Sequence, residues 1–213
     1  DVLRHFTRLK CSLMPYLYSE AAVVHTKGIP EMRAMMLEFP HDPTCAYLDR
    51  QYMLGSALLV APIFNDCGEV TFYVPAGRWT DLQSGRTYEG GKWYTESYDY
   101  FGLPLLVRPG TLLARNEAAA DVIYDYTSSL TLDLYELADG QTASCSIVKI
   151  HETTGLVLSA VRTVNTITLK LNGTQVNTIH LHGCRAIHAE NAVIENGSLI
   201  PAAGADTIVC TVE

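Results

Sequence analysis

The chain has 213 residues, 48% of them hydrophobic and 18% charged, a globular composition that excludes a disordered polypeptide. Its formal net charge of -8, with no Lys/Arg-rich run, opposes polyanions and excludes nucleic acid as a partner. No stretch approaches the ~20 apolar residues that span a bilayer, and no signal-peptide pattern opens the chain, so no membrane partner is expected.

The first element reads as a helix. Val2, Phe6, Leu9, Leu13, Leu17, Ala21 and Val24 recur at three- and four-residue steps, and Lys27-Gly28 supplies the stop. Pro15 lies inside this stripe and should kink the helix or remove one of its hydrogen bonds. Residues 31–40 are apolar at their centre without alternation, the pattern of a strand covered on both faces in a parallel sheet. Asp42 and Pro43 then read as the N-cap and first residue of a second helix, closed by Gly55. Helix, loop, buried strand and short helix make one repeat of a parallel α/β barrel.

From Ser56 the period changes. Strand-like runs at 57–64, 70–74, 103–108 and 130–137 alternate with turn clusters, which predicts antiparallel sheets in sandwiches. The polar, Ala-rich stretch at 115–121 marks a boundary. Beyond it, 156–164, 166–171, 178–181 and 207–212 are β-branched and alternating. Asn172-Gly173-Thr174 and Asn196-Gly197-Ser198 match the glycosylation sequon but read as plain turns. The six cysteines form no CxxC pair; they read as buried free thiols, which favours a reducing cytoplasm.

Few residues offer chemistry. Glu38 is the one carboxylate at the end of an expected barrel strand, and the competing reading pairs it with Arg33. Asp81, Asp99, Asp133 and Asp139 fall in turns or on polar strand faces and are expected to be solvated. His180 and His182 share one strand face; His188 is the loose third ligand a metal would need, and exposed strand histidines are the simpler reading. His5 receives no role. No nucleophile elbow, Walker loop or dinucleotide fingerprint occurs. Trp79, Tyr88, Trp93, Tyr94, Tyr98, Tyr100 and Phe101 crowd one segment; exposed rings there would stack on sugars, and sandwich packing accounts for the same residues.

Several blocks carry a resemblance. Phe6-Thr7-Arg8-Leu9-Lys10-Cys11, Met14-Pro15-Tyr16-Leu17-Tyr18, Arg33-Ala34-Met35-Met36-Leu37-Glu38-Phe39-Pro40 and Tyr47-Leu48-Asp49-Arg50-Gln51-Tyr52-Met53-Leu54-Gly55 resemble the closing stretch of a bacterial family-31 glycoside hydrolase barrel. Leu59-Val60-Ala61-Pro62-Ile63-Phe64, Val74-Pro75-Ala76-Gly77-Arg78-Trp79-Thr80 and Leu103-Pro104-Leu105-Leu106-Val107-Arg108 are similar to that family's first C-terminal sandwich. The wording around residues 33–39 and 49–55 resembles the α-xylosidase branch. Beyond Glu117 only residues 135–141 echo a family pattern.

The resemblance implies a retaining hydrolase acting on terminal α-linked xylose, whose two catalytic aspartates lie upstream of residue 1. It therefore assigns no catalytic, cofactor-binding or metal residue to this chain, and it implies no cofactor. The expected fold class is mainly β: a barrel remnant over 1–55, a proximal β-sandwich over 56–114 and a distal one over 115–213. The expected partners are the rest of the parent barrel and, through the parent, an α-xyloside. The uncovered barrel piece either packs onto the sandwich or drives a homo-oligomer. The chain alone is expected to be inactive and to stabilise or assemble its parent. The alternatives are an α-glucosidase of the same family, or a carbohydrate-binding β-sandwich module.

Overall fold

The opening apolar stripe becomes one helix, α1 (Val2–Lys27), in the computed structural model, which describes all of residues 1–213. It ends at Gly28, whose φ of +69° suits the left-handed C-cap. Pro15 does not break it. A proline has no N–H, so the Cys11 carbonyl loses its usual i+4 donor. The Tyr124 hydroxyl donates to that carbonyl instead, at 2.8 Å. No helix is long and apolar enough to cross a membrane.

By contacts the chain divides into two units, residues 1–6 with 28–109 and residues 7–27 with 110–213. Residues 28–55, expected on the barrel side of a boundary at 55, share the first unit with 56–109.

The first unit opens with β1 (Met32–Ala34), a helical turn α2 (Met35–Glu38) and a 3-10 turn (Pro43–Tyr47), then β2 (Tyr52–Leu54) and β3 (Leu58–Val60). Two expectations fail here. The strand in 31–40 is three residues long, outward-facing at Met32 and Ala34, and antiparallel to β2 rather than part of a parallel sheet. The second helix stops after the 3-10 turn, although Asp42 and Pro43 do start it, with Asp42 Oδ1 accepting from the Thr44 N–H at 3.0 Å. The reason lies at Gln51. Its side-chain amide donates to the Tyr73 carbonyl and accepts from the Tyr73 N–H, both at 2.8 Å, like a neighbouring strand. That pairing holds the chain extended where a helix would have coiled.

The unit continues with β4 (Glu69–Val74), β5 (Arg78–Asp81), β6 (Thr87–Glu89), β7 (Lys92–Ser97) and β8 (Leu105–Val107). Six strands form one sheet in the order β1-β2-β3-β8-β5-β6, and β4-β7 make a separate ribbon. Met53, Leu59, Trp79 and Leu106 from the sheet pack with Val70, Phe72 and Val74 from the ribbon in one buried cluster.

The second unit holds β9 (Thr111–Arg115), β10 (Leu130–Tyr135), β11 (Thr142–Val148), β12 (Gly155–Thr163), β13 (Thr166–Lys170), β14 (Val176–His182), β15 (Ala186–Glu190), β16 (Ala192–Glu195), β17 (Ser198–Pro201) and β18 (Thr207–Val212). Two five-stranded sheets, β16-β17-β14-β10-β9 and β11-β12-β13-β18-β15, enclose one core. Leu130, Leu132, Leu134 and Ile179 of one sheet meet Leu158, Ala160, Leu169 and Ile208 of the other. Met14 and Tyr18 of α1 pack against the same core. Most pairs are antiparallel as expected, but β10 and β14 run parallel. Asn196-Gly197 is a two-residue hairpin turn between β16 and β17 with both φ positive, so that sequon is a turn, as its sequence predicts.

Candidate functional site

Glu38 closes α2 and has both oxygens engaged. Oε1 accepts from Arg33 Nη1 at 2.7 Å and Oε2 from Arg108 Nη1 at 2.8 Å, while the Arg108 guanidinium sits 4.7 Å over the Phe39 ring. Both carboxylate oxygens are thus committed to guanidinium groups, an arrangement that fixes the side chain as a structural clamp between Arg33 and Arg108. The expected Arg33 pairing is present. The second arginine, 70 residues away, was not visible from local sequence.

Two aspartates expected to be solvated are buried. Asp81 is 4% exposed; its Oδ1 accepts from the Gln83 and Ser84 N–H groups and the Ser84 hydroxyl, building the turn after β5. Asp133 is 1% exposed on β10, with Oδ2 receiving Arg115 at 2.8 Å and Oδ1 lying 3.1 Å from His182 Nε2. Burial pushes the Asp133 carboxyl up, but the His182 and Arg115 hydrogen bonds and the Arg115 charge outweigh it, leaving the group below the usual carboxylate range. Asp99 and Asp139 are exposed and accept backbone N–H groups, from Phe101 and Val164.

His180 and His182 do share one face of β14, yet both are half-buried rather than exposed. His182 stacks on Tyr135 at 4.1 Å between ring centroids, and His180 Nδ1 lies 2.8 Å from Ser198 Oγ. His188 stands on β15 in the opposite sheet, so the three histidines do not converge. His5 Nε2 lies 3.0 Å from the Gln83 side-chain amide.

The aromatic segment splits. Trp79 is fully buried and donates to the Pro75 carbonyl at 3.0 Å. Tyr88 and Tyr98 both donate to Glu96 Oε2, at 2.7 and 3.0 Å, and Phe72 lies against Tyr88 and Tyr94. Burial pushes the Tyr88 phenol up to about 12, which keeps it a donor. These rings are used by packing and cannot form a flat platform for sugar. Trp93, Tyr100 and Phe101 remain exposed. So do Met32, Met36, Leu37, Tyr47 and Phe64, an apolar group gathered within 33 residues of sequence. Sequence reasoning anticipated an uncovered apolar face in this region but not these side chains.

Residues 28–113 match the glycosyl hydrolase family 31 C-terminal domain, and residues 125–212 match the alpha-xylosidase YicI C-terminal domain. Alpha-xylosidase XylQ of Lactiplantibacillus pentosus is 46% identical over 139 residues, covering 63% of this chain and 18% of that protein. An alpha-xylosidase of Emericella nidulans is 50% identical over 126 residues, covering 54% of this chain and 16% of that protein. The cycloalternan-forming enzyme from Listeria monocytogenes, solved with a pentasaccharide substrate, superposes with a TM-score of 0.82 at 22% identity, over 99% of this chain and 24% of its own; it shows a shared fold. The matched part of the chain thus spans 16–18% of the length of these two curated relatives. Two domain matches in chain order, backed by α-xylosidase relatives, mean that this chain belongs to glycoside hydrolase family 31 and carries its C-terminal β domains.

Proposed function

We propose that the chain is the C-terminal part of an α-xylosidase that releases terminal α-linked xylose, and that alone it lacks activity. Its task in this reading is to brace a catalytic barrel supplied by the rest of the parent enzyme. One observation carries the bracing role: Met32 is 64% exposed, Leu37 62% and Tyr47 89%, in a chain whose other large apolar side chains mostly build two closed cores. Exposed apolar groups gathered in this way mark an interaction surface. The identity of 46–50% to α-xylosidases favours xylosides over glucosides as the parent's substrate.

The test has two arms. The isolated chain should release no xylose from a chromogenic α-xyloside; turnover free of contaminating hydrolase would overturn the reading. In the parent-length enzyme, Leu37→Asp combined with Tyr47→Ser should lower yield of assembled, active enzyme, and full activity at unchanged stability would remove the bracing role. With the barrel absent, the same side chains should drive self-association, read by sedimentation.

A further inference from the structure

The first unit contains a cleft at the edge of its core, where Ile63 and Tyr98 pack on the core from the cleft wall. It lies between the loop after β3, residues 65–68, and the loop after β7, residues 98–103, and has a volume of about 330 Å³. That is at the lower end of the range for small-molecule sites, roughly 300–1,000 Å³. The two loops are joined at their base, where the Tyr98 N–H donates to the Gly68 carbonyl at 2.9 Å. Glycine is required there: Gly68 has φ +75°, and a Cβ would land on the Tyr98 carbonyl oxygen.

The lining has a definite chemical bias. Pro62, Ile63, Leu103 and Tyr100 give it apolar surface, and Asp66 and Asp99 give it carboxylates. The Asp66 carboxylate is exposed and uncommitted, and only Oδ1 of Asp99 is engaged, by the Phe101 N–H at 2.8 Å. No Lys, Arg or His lines the cleft, so phosphates and carboxylates are repelled. What fits is a ligand with hydroxyl donors for the carboxylates and a C–H face for the ring of Tyr100, which is 82% exposed.

The geometry points to this cleft as a binding site for a neutral pyranoside unit, held by Tyr100 against one face and by Asp66 and Asp99 at its hydroxyls. Choosing a sugar over an organic cation, which the same carboxylates would accept, rests on the reading of the chain as part of a glycosidase. Of the aromatic row expected from sequence, Tyr98 and Tyr100 line the cleft, while Trp79 and Tyr88 are buried in the core.

Cys67 supplies the test. It lines the cleft and is the one exposed thiol of the six, all of them free. On the full chain, its alkylation rate by a maleimide is followed with increasing methyl α-xyloside, methyl α-glucoside or choline. A saturable, several-fold slowing by either glycoside is expected, lost in Tyr100→Ala and in Asp66→Asn and retained in Trp93→Ala. No slowing at tens of millimolar glycoside would overturn the proposal. So would slowing by choline alone, or protection that survives both cleft variants. Because the readout needs no turnover, its failure leaves the hydrolase reading standing, and a parent enzyme inactive on α-xylosides would fail separately.

Discussion

Pro15 and Tyr124 should be energetically coupled. The Cys11 carbonyl can receive no helical N–H from residue 15, and the Tyr124 hydroxyl takes that place at 2.8 Å. The phenol is pushed up by burial, with the neighbouring Tyr126 and Cys11 adding to it, so it stays protonated and able to donate. Cys11 and Pro15 are both buried, so removing the hydroxyl leaves a carbonyl with neither protein nor bulk water as partner. Tyr124→Phe should therefore cost about 1–3 kcal/mol, the usual cost of an unsatisfied buried polar group. In a Pro15→Ala background the new N–H reaches the Cys11 carbonyl directly, and the same substitution should cost only a few tenths of that. The double-mutant cycle, measured by urea unfolding followed with far-UV circular dichroism, should give a coupling of about 1 kcal/mol or more. If the two single effects simply add, to within ~0.5 kcal/mol, the tyrosine serves something other than the orphaned carbonyl.

Further outcomes follow from the other polar centres. Asp133→Asn should destabilise the second unit by about 2–3 kcal/mol at neutral pH, since it leaves the partly buried Arg115 with only the exposed Glu117 as an anionic partner. Because the folded carboxyl titrates below its free value of ~3.9, its contribution is complete above that pH and is lost as pH falls through the folded value, so the gap to wild type should close in acid. Glu38→Gln should cost about 2 kcal/mol by setting Arg33 and Arg108 side by side, read by tryptophan fluorescence because Phe39 lies 6.0 Å from Trp79. Val164 turns between β12 and β13 at φ +53° with its side chain exposed, so Val164→Asn should raise the thermal midpoint, by about 1 kcal/mol in stability; no gain would mean that the turn is unstrained.

Much of the fold was legible wherever one period ran long enough. The helical stripe from Val2 to Val24 gives α1, and the strand-like runs at 70–74, 156–164 and 207–212 give β4, β12 and β18 nearly residue for residue. The region from 31 to 55 was not legible, because three-residue strands carry no period. What decides them is Gln51 reaching Tyr73, 22 residues on, and Arg33 turning inward to Glu38. The parallel pairing of β10 with β14 was equally hidden, since pairing direction is settled by tertiary packing and not by alternation.

The misread aspartate shows why the candidate site was harder to read than the fold. In β10, Leu130, Leu132 and Leu134 alternate with Thr131, Asp133 and Tyr135, which reads as one face inside and one in water. All six residues are buried. Alternation therefore separated two chemical environments here, both dry: an aliphatic core on one side and a hydrogen-bonded layer on the other. Such a layer is stable only if its charges meet donors, and Asp133 finds them 18 and 49 residues away in Arg115 and His182. The converse holds at Met32 and Tyr47, apolar side chains left in solvent. In this chain a buried polar residue on a strand, such as Asp133, is evidence of a network closed elsewhere in the sequence. Apolar residues left exposed close together in sequence, as at Met32, Leu37 and Tyr47, are what the proposed bracing surface would be built from.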